Sequence, residues 1–337
     1  MKSALTLCPW LFGPLSQLER AEAAGRLGHG WLFGGRRGIG KANLAWVFAD
    51  RVLHQRTGSA QPSVASVQQV LDAYADSGTM SELHPDLHRI APEEGKQSIS
   101  VEQIRATIAD LALTPLAGQH KVVIIEQADR MTREAANALL KSLEEPSGDT
   151  YLLLLAERAG RLPATIRSRC QQLVLPMPDP NVTEQWLADA GLSQADAPRG
   201  LGRATPIQLA SLLINEENML LYNKLYADLE KLSKNSADPI EIADEWQKLN
   251  PELALGCLIE SLRSTIRHVL VPGNRITEAG GLIMDNWARK SSIGSLFARL
   301  RMAENLREQI GRGTNTELAL KALLLGLDIA EDPRLEA

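Results

Sequence analysis

Cysteine is scarce in this chain, and its three copies, Cys8, Cys170 and Cys257, lie far apart. No C-x-x-C pair occurs, so neither a disulfide framework nor a thiolate zinc site is indicated. A basic excess is missing too: 36 Lys and Arg stand against 41 Asp and Glu, a formal charge of −5. A protein that grips DNA alone usually carries the opposite sign, so any nucleic-acid contact is expected to be shared with partners. No apolar run is long enough to cross a bilayer. The opening MKSALTLCPWLFGPL has one Lys and a short apolar stretch, but Pro9, Trp10 and Pro14 interrupt it. No small-residue cleavage site follows, which predicts a cytoplasmic N-terminus. What remains is a 337-residue chain, 44% hydrophobic and 23% charged, with apolar material for two or three domains.

Residues 30–46 read GWLFGGRRGIGKANLAW. The spacing of Gly35, Gly40 and Lys41, with Gly38 between them, fits a loop whose backbone N–H groups cradle phosphates. Its lysine would reach the outer phosphate oxygens. The next position should supply a hydroxyl for Mg²⁺, and Ala42 stands there instead. An ordinary turn is the plainer reading of the glycines, but the strand-loop-helix context is the one a phosphate loop requires. Downstream, KVVIIEQAD at 121–129 is an apolar run of the buried parallel-strand kind. Its end should carry an Asp for the metal and then a Glu for the attacking water. Glu126 and Gln127 occupy those places. Glu126 is a methylene too long, and Gln127 accepts no proton, so general-base catalysis has no agent. No intrinsic ATP hydrolysis is expected. The residual loop is expected either to hold nucleotide weakly or to stay empty.

Short apolar strand candidates sit at Trp31–Phe33, Leu87–Ala91, Val122–Ile125, Tyr151–Ala156 and Gln172–Leu175. Helical patterns alternate with them at Asn43–Leu53, Val64–Tyr74, Val101–Leu113 and Thr132–Glu144, with Ser100 as an N-cap. Such alternation predicts an α/β domain with a parallel, doubly wound sheet over residues 1–176. After Pro176-Met177-Pro178 the strand signal stops. Helices are predicted at Glu184–Ala190, Pro206–Leu213, Met219–Ser233, Pro239–Leu249, Glu252–Val269 and Thr316–Ala330. They make a small helical unit, 177–215, and an all-helical tail, 216–337. Trp186, Trp246 and Trp287 read as core anchors. Arg158, Arg161, Arg167 and Arg169 crowd one short segment. Either surface ion pairs or a partner's phosphates answer that charge, and the planar arginine fork suits the second.

The phrase ANALLKSLEEPSGDTYLLLLAERAGRLPATIRSRCQQL, residues 136–173, resembles the signature region of bacterial clamp-loader subunits, the AAA+ proteins of DNA polymerase III. HPDLHRIAPEEGKQSISVEQIR at 84–105 and Pro9-Trp10-Leu11 support the same resemblance, which covers the first two thirds of the chain. NTELALKALLLGL at 315–327 is similar to the family's last collar helix, a less specific match. The resemblance implies an AAA+ domain, a helical lid and a collar. In the family the arginine of Ser-Arg-Cys enters the neighbouring subunit's ATP site as a finger. That role falls on Arg169, with Ser168 and Cys170 completing the motif.

Departures from the family pattern bear on chemistry. Many members carry four zinc-binding cysteines between the loop helix and the second strand, and residues 54–83 contain none. His54, His84 and His88 are too isolated to replace them and read as surface or turn residues. No zinc is expected. The lid's sensor arginine is also displaced: in Gly202-Arg203-Ala204-Thr205-Pro206, Thr205 holds the expected slot and Arg203 lies nearby. The resemblance therefore implies a non-hydrolysing subunit that assembles with tau/gamma and delta subunits. The complex would load a sliding clamp on primer-template DNA as part of the polymerase holoenzyme. Two other readings stay open: an active motor, such as a tau/gamma subunit or branch-migration helicase, and a pure scaffold with no finger role.

Overall fold

The computed structural model describes residues 8–53, 84–93, 95–117, 119–146, 150–193, 204–271, 281–310 and 315–328. The expected helix Val64–Tyr74, the segment 54–83 with His54, and Arg203 lie outside them. The chain divides into two compact units. One comprises Met1–Gln194 with Thr205–Ser211, the other Ala195–Ala204 with Leu212–Ala337.

The first unit is built on five parallel strands: β1 (Gly30–Gly34), β2 (Leu87–Ile90), β3 (Lys121–Ile125), β4 (Thr150–Ala156) and β5 (Gln171–Val174). Their order is β2-β3-β4-β1-β5. All five expected strands form, each within one residue of its expected ends. Parallel neighbours need long crossovers, and helices lie in them: α1 (Phe12–Ala23) precedes β1, and α2 (Lys41–Leu53), α3 (Val101–Leu111), α4 (Arg133–Glu144) and α5 (Ala164–Arg167) fall between successive strands. α6 (Pro180–Asp189) and α7 (Pro206–Ile214) follow the sheet. Leu32, Val123, Ile125, Leu152 and Leu154 bury one face against Ile104 of α3 and Ala135, Leu139 and Leu143 of α4. Trp31, Phe33, Val122, Ile124 and Leu153 alternate with them and are equally buried, so they face the other side. α2 packs on β3 and β4 without sharing in the first cluster, which makes the sheet doubly wound as expected.

α1 goes beyond the sequence reading, in which Pro14 marked an interruption. Pro14 falls in the helix's first turn, where its missing N–H costs no bond. Of the two places expected for His88, surface or turn, the turn is excluded by the strand expected over Leu87–Ala91. His88 lies on β2, half-buried.

Every regular element described in the second unit is a helix: α8 (Glu216–Ser233), α9 (Pro239–Leu249), α10 (Pro251–Leu270), α11 (Gly281–Lys290), α12 (Ile293–Gln309) and α13 (Thr316–Asp328). Side chains of Asn215, Asp238, Asn250 and Ser292 cap the starts of α8, α9, α10 and α12. Trp246 and Trp287 sit in one apolar cluster with Leu229, Leu258, Leu262 and Leu320. The Trp246 indole N–H donates to a buried Asp228 oxygen at 3.2 Å. Trp186, in the first unit, meets Trp10 edge to face at 5.3 Å. α11 and α12 were not foreseen. Arg299, Arg301, Glu304 and Arg307 break the apolar stripe of α12, although Arg299 itself is buried. Among the described residues, no helix is long and apolar enough to cross a membrane.

Candidate functional site

The loop Gly35–Gly40 leaves the carboxyl end of β1 and opens α2. Gly38 (φ 76°) and Gly40 (φ 99°) take the left-handed conformations that favour glycine. Space enforces the choice as well. A Cβ on Gly38 would stand 2.3 Å from Thr205 Oγ1, and one on Gly40 would stand 2.7 Å from Leu11 Cδ1. The loop is thus closed on by its own chain. Thr205 Oγ1 donates to the Arg37 carbonyl at 2.7 Å, Ile207 N–H to that of Gly38 at 3.2 Å, and Trp10 Nε1 to that of Ile39 at 2.9 Å.

Lys41 is turned inward. Its ammonium donates to the carbonyls of Gly35 at 2.6 Å and Arg36 at 2.9 Å. Burial pulls its pKa below the ordinary lysine value, while the charges of Glu157 and Asp129 oppose that shift. At the end of β3, Glu126 is engaged by Arg89 of β2 in a forked pair, Nε to Oε1 at 3.1 Å and Nη2 to Oε2 at 2.8 Å. Gln127 is exposed in a left-handed turn (φ 53°). Asp129, to which no role was given from the sequence, accepts the backbone N–H groups of Glu157 and Arg158, both at 3.1 Å. The loop keeps a phosphate cradle's backbone. The residues around it do not fit the turnover of a magnesium nucleotide: Ala42 offers no ligand, Glu126 is committed to Arg89, and Gln127 is no base.

Arg169 stands elsewhere. It follows α5 and enters β5, whose Gln171 pairs with Trp31 at the start of β1. A Cβ on Gly30 would lie 3.2 Å from the Arg169 carbonyl. Arg169 therefore sits at the amino edge of the sheet, with the length of β1, about 15 Å at ~3.3 Å per residue, between it and the loop. Its Nη1 donates to the Thr165 carbonyl at 3.0 Å and its Nη2 pairs with Glu144 at 2.5 Å. Ser168 Oγ donates to Thr165 and lies 3.5 Å from Nη1. Cys170 points into the core, and burial pushes its thiol up to about 11, which keeps it protonated and inert. Arg158 and Arg161 follow the carboxyl end of β4, whereas Arg169 precedes the amino end of β5. Arg158 and Arg161 are exposed, whereas Arg167 is half-buried with its Nε enclosed. Among the described residues, no three His, Cys, Asp or Glu side chains are grouped as for a metal ion.

The family described as "DNA polymerase III, delta subunit" matches residues 13–179, the stretch that carries both the loop and Arg169. A DNA polymerase III subunit delta' of Pseudomonas aeruginosa is 42% identical over 184 residues, 54% of this chain and 52% of that protein. Residues 13–179 belong to the DNA polymerase III delta-prime family. The delta-prime protein of Haemophilus influenzae extends the similarity along the chain: 25% identity over 318 residues, 93% of this chain and 94% of that one. The tau/gamma subunit of the same organism is 31% identical over 175 residues, 51% of this chain and 24% of its own. With the Pseudomonas delta-prime protein the match spans only about half the relative's length.

Proposed function

We propose that this chain is the delta-prime subunit of a DNA polymerase III clamp loader, an AAA+ subunit that hydrolyses no ATP itself. It assembles with tau/gamma and delta subunits in the cytoplasm, and the complex places a sliding clamp on primer-template DNA. Arg169 serves the ATP site of a neighbouring subunit. The observation that carries this reading is the separation of the two halves of the chemistry. The finger arginine lies at the amino edge of the sheet, across β1 from a loop that has no metal ligand and whose lysine is tied to its own carbonyls. An arginine so placed cannot reach the phosphates of its own chain, so any γ-phosphate it stabilises belongs to another. Nucleotide at Gly35, Gly38, Gly40 and Lys41 is not required on this reading, and neither is zinc. The second unit, with its continuous helical core, acts as the collar that joins the subunits.

The purified chain alone is expected to release no phosphate from ATP above background, with or without primed DNA. Ala42→Ser is expected not to restore turnover, because Gln127 still accepts no proton. Turnover by the unaltered chain that disappears in Lys41→Ala would contradict the proposal and favour an active motor.

A further inference from the structure

Glu144 is the last residue of α4, within the phrase LLKSLEEP, and the reading above gives it no part. Its position is locally unfavourable. A carboxylate in the final turn of a helix meets the negative end of the macrodipole, where a cation is preferred. Residues that break a local rule are expected at functional sites, where another interaction offsets the cost. Here the offsetting group is Arg169, whose Nη2 lies 2.5 Å from Glu144 Oε1. The other terminal nitrogen, Nη1, is held by the Thr165 carbonyl at 3.0 Å. Two acceptors on different nitrogens fix the plane of the guanidinium as well as its position. At least two of its five N–H groups remain for a phosphate. Both side chains are substantially exposed, 36% for Arg169 and 49% for Glu144, so the pair adds little to the stability of the fold.

We propose that Glu144 is a positioning residue for Arg169. It holds the guanidinium fork in the orientation from which it meets the phosphate oxygens of a neighbouring subunit's nucleotide. The inference rests on the trans-acting role of Arg169 proposed above. A long, flexible side chain that reaches across an interface gains most from such pre-orientation, because misplacement of a transition-state donor is costly in rate.

The test uses full-length chains reconstituted with tau/gamma and delta subunits, with co-elution as the check on folding and assembly. Glu144→Ala is expected to lower the kcat of DNA-stimulated ATP hydrolysis about 3–10-fold, a smaller loss than that of Arg169→Ala, with KM unchanged. Glu144→Gln should recover part of the rate, since its amide oxygen still accepts from Nη2. In an Arg169→Ala background, Glu144→Ala should cause no additional loss, whereas a merely structural role would persist there. An unchanged or raised kcat for Glu144→Ala, with the Arg169→Ala loss intact, would overturn the positioning role and leave the finger standing. If Arg169→Ala itself loses nothing, the finger falls, and the positioning role falls with it.

Discussion

Arg169→Ala is expected to leave the chain folded and able to assemble, yet to strip the assembled complex of much of its DNA-stimulated ATPase and clamp loading. The side chain is exposed, and its removal opens no cavity. On the proposed trans-acting role, what is lost is charge stabilisation in a transition state, which for a finger arginine is worth about 10³–10⁵ in rate at a single site. The loss seen in the complex should be smaller, because other ATP sites do not face this subunit. Arg169→Lys should rescue poorly. A lysine is a point charge and cannot reproduce two parallel donors in one plane. Arg161→Ala is the control. Arg161 is exposed on a short turn between β4 and α5, outside the Ser-Arg-Cys triplet, and its removal should have the milder effect. Steady-state ATPase and a clamp-loading assay on the same preparations check all three.

Trp246→Ala should be the most damaging single substitution in the helical unit. Trp246 is fully buried in the apolar cluster of the helical unit, on a helix that packs chiefly against α13, and truncation of such a residue typically costs about 3–5 kcal/mol. The change also takes away a hydrogen bond from the buried Asp228 carboxylate. Urea unfolding followed by circular dichroism should show a clearly lower midpoint for the helical transition. The sheet unit has its own core and should unfold near its original midpoint. If the helical unit is the collar, the same variant should fail to co-elute with partner subunits.

The sheet was legible in the sequence because parallel strands buried on both faces spell continuous apolar runs. KVVII at β3 is buried at every position. The loop was legible because glycine spacing carries its backbone conformation directly, as Gly38 and Gly40 demonstrate. α1 and α12 were harder to see: a proline in a first turn looks like a break, and a buried arginine such as Arg299 looks like a solvent-facing residue. The state of the site was less legible still. That Lys41 turns back to Gly35 and Arg36, that Arg89 occupies Glu126, and that Thr205 closes on Gly38 are facts of three-dimensional placement. So is the meeting of Glu144 with Arg169, residues 25 positions apart that only the β4 crossover brings together. Residue type supplied the chemistry available. Topology decided which groups were already spent.

On the proposed function, this chain's own loop is idle while its arginine works on another subunit's nucleotide. The most direct measurement is the DNA-stimulated ATPase of a reconstituted complex in which this chain alone carries Lys41→Ala. Lys41 is bonded only to its own loop carbonyls among the described residues, so the predicted rate equals that of the unaltered complex. A fall in that rate as large as the one caused by Arg169→Ala, with assembly intact, would show that the loop takes part in hydrolysis and would contradict the account.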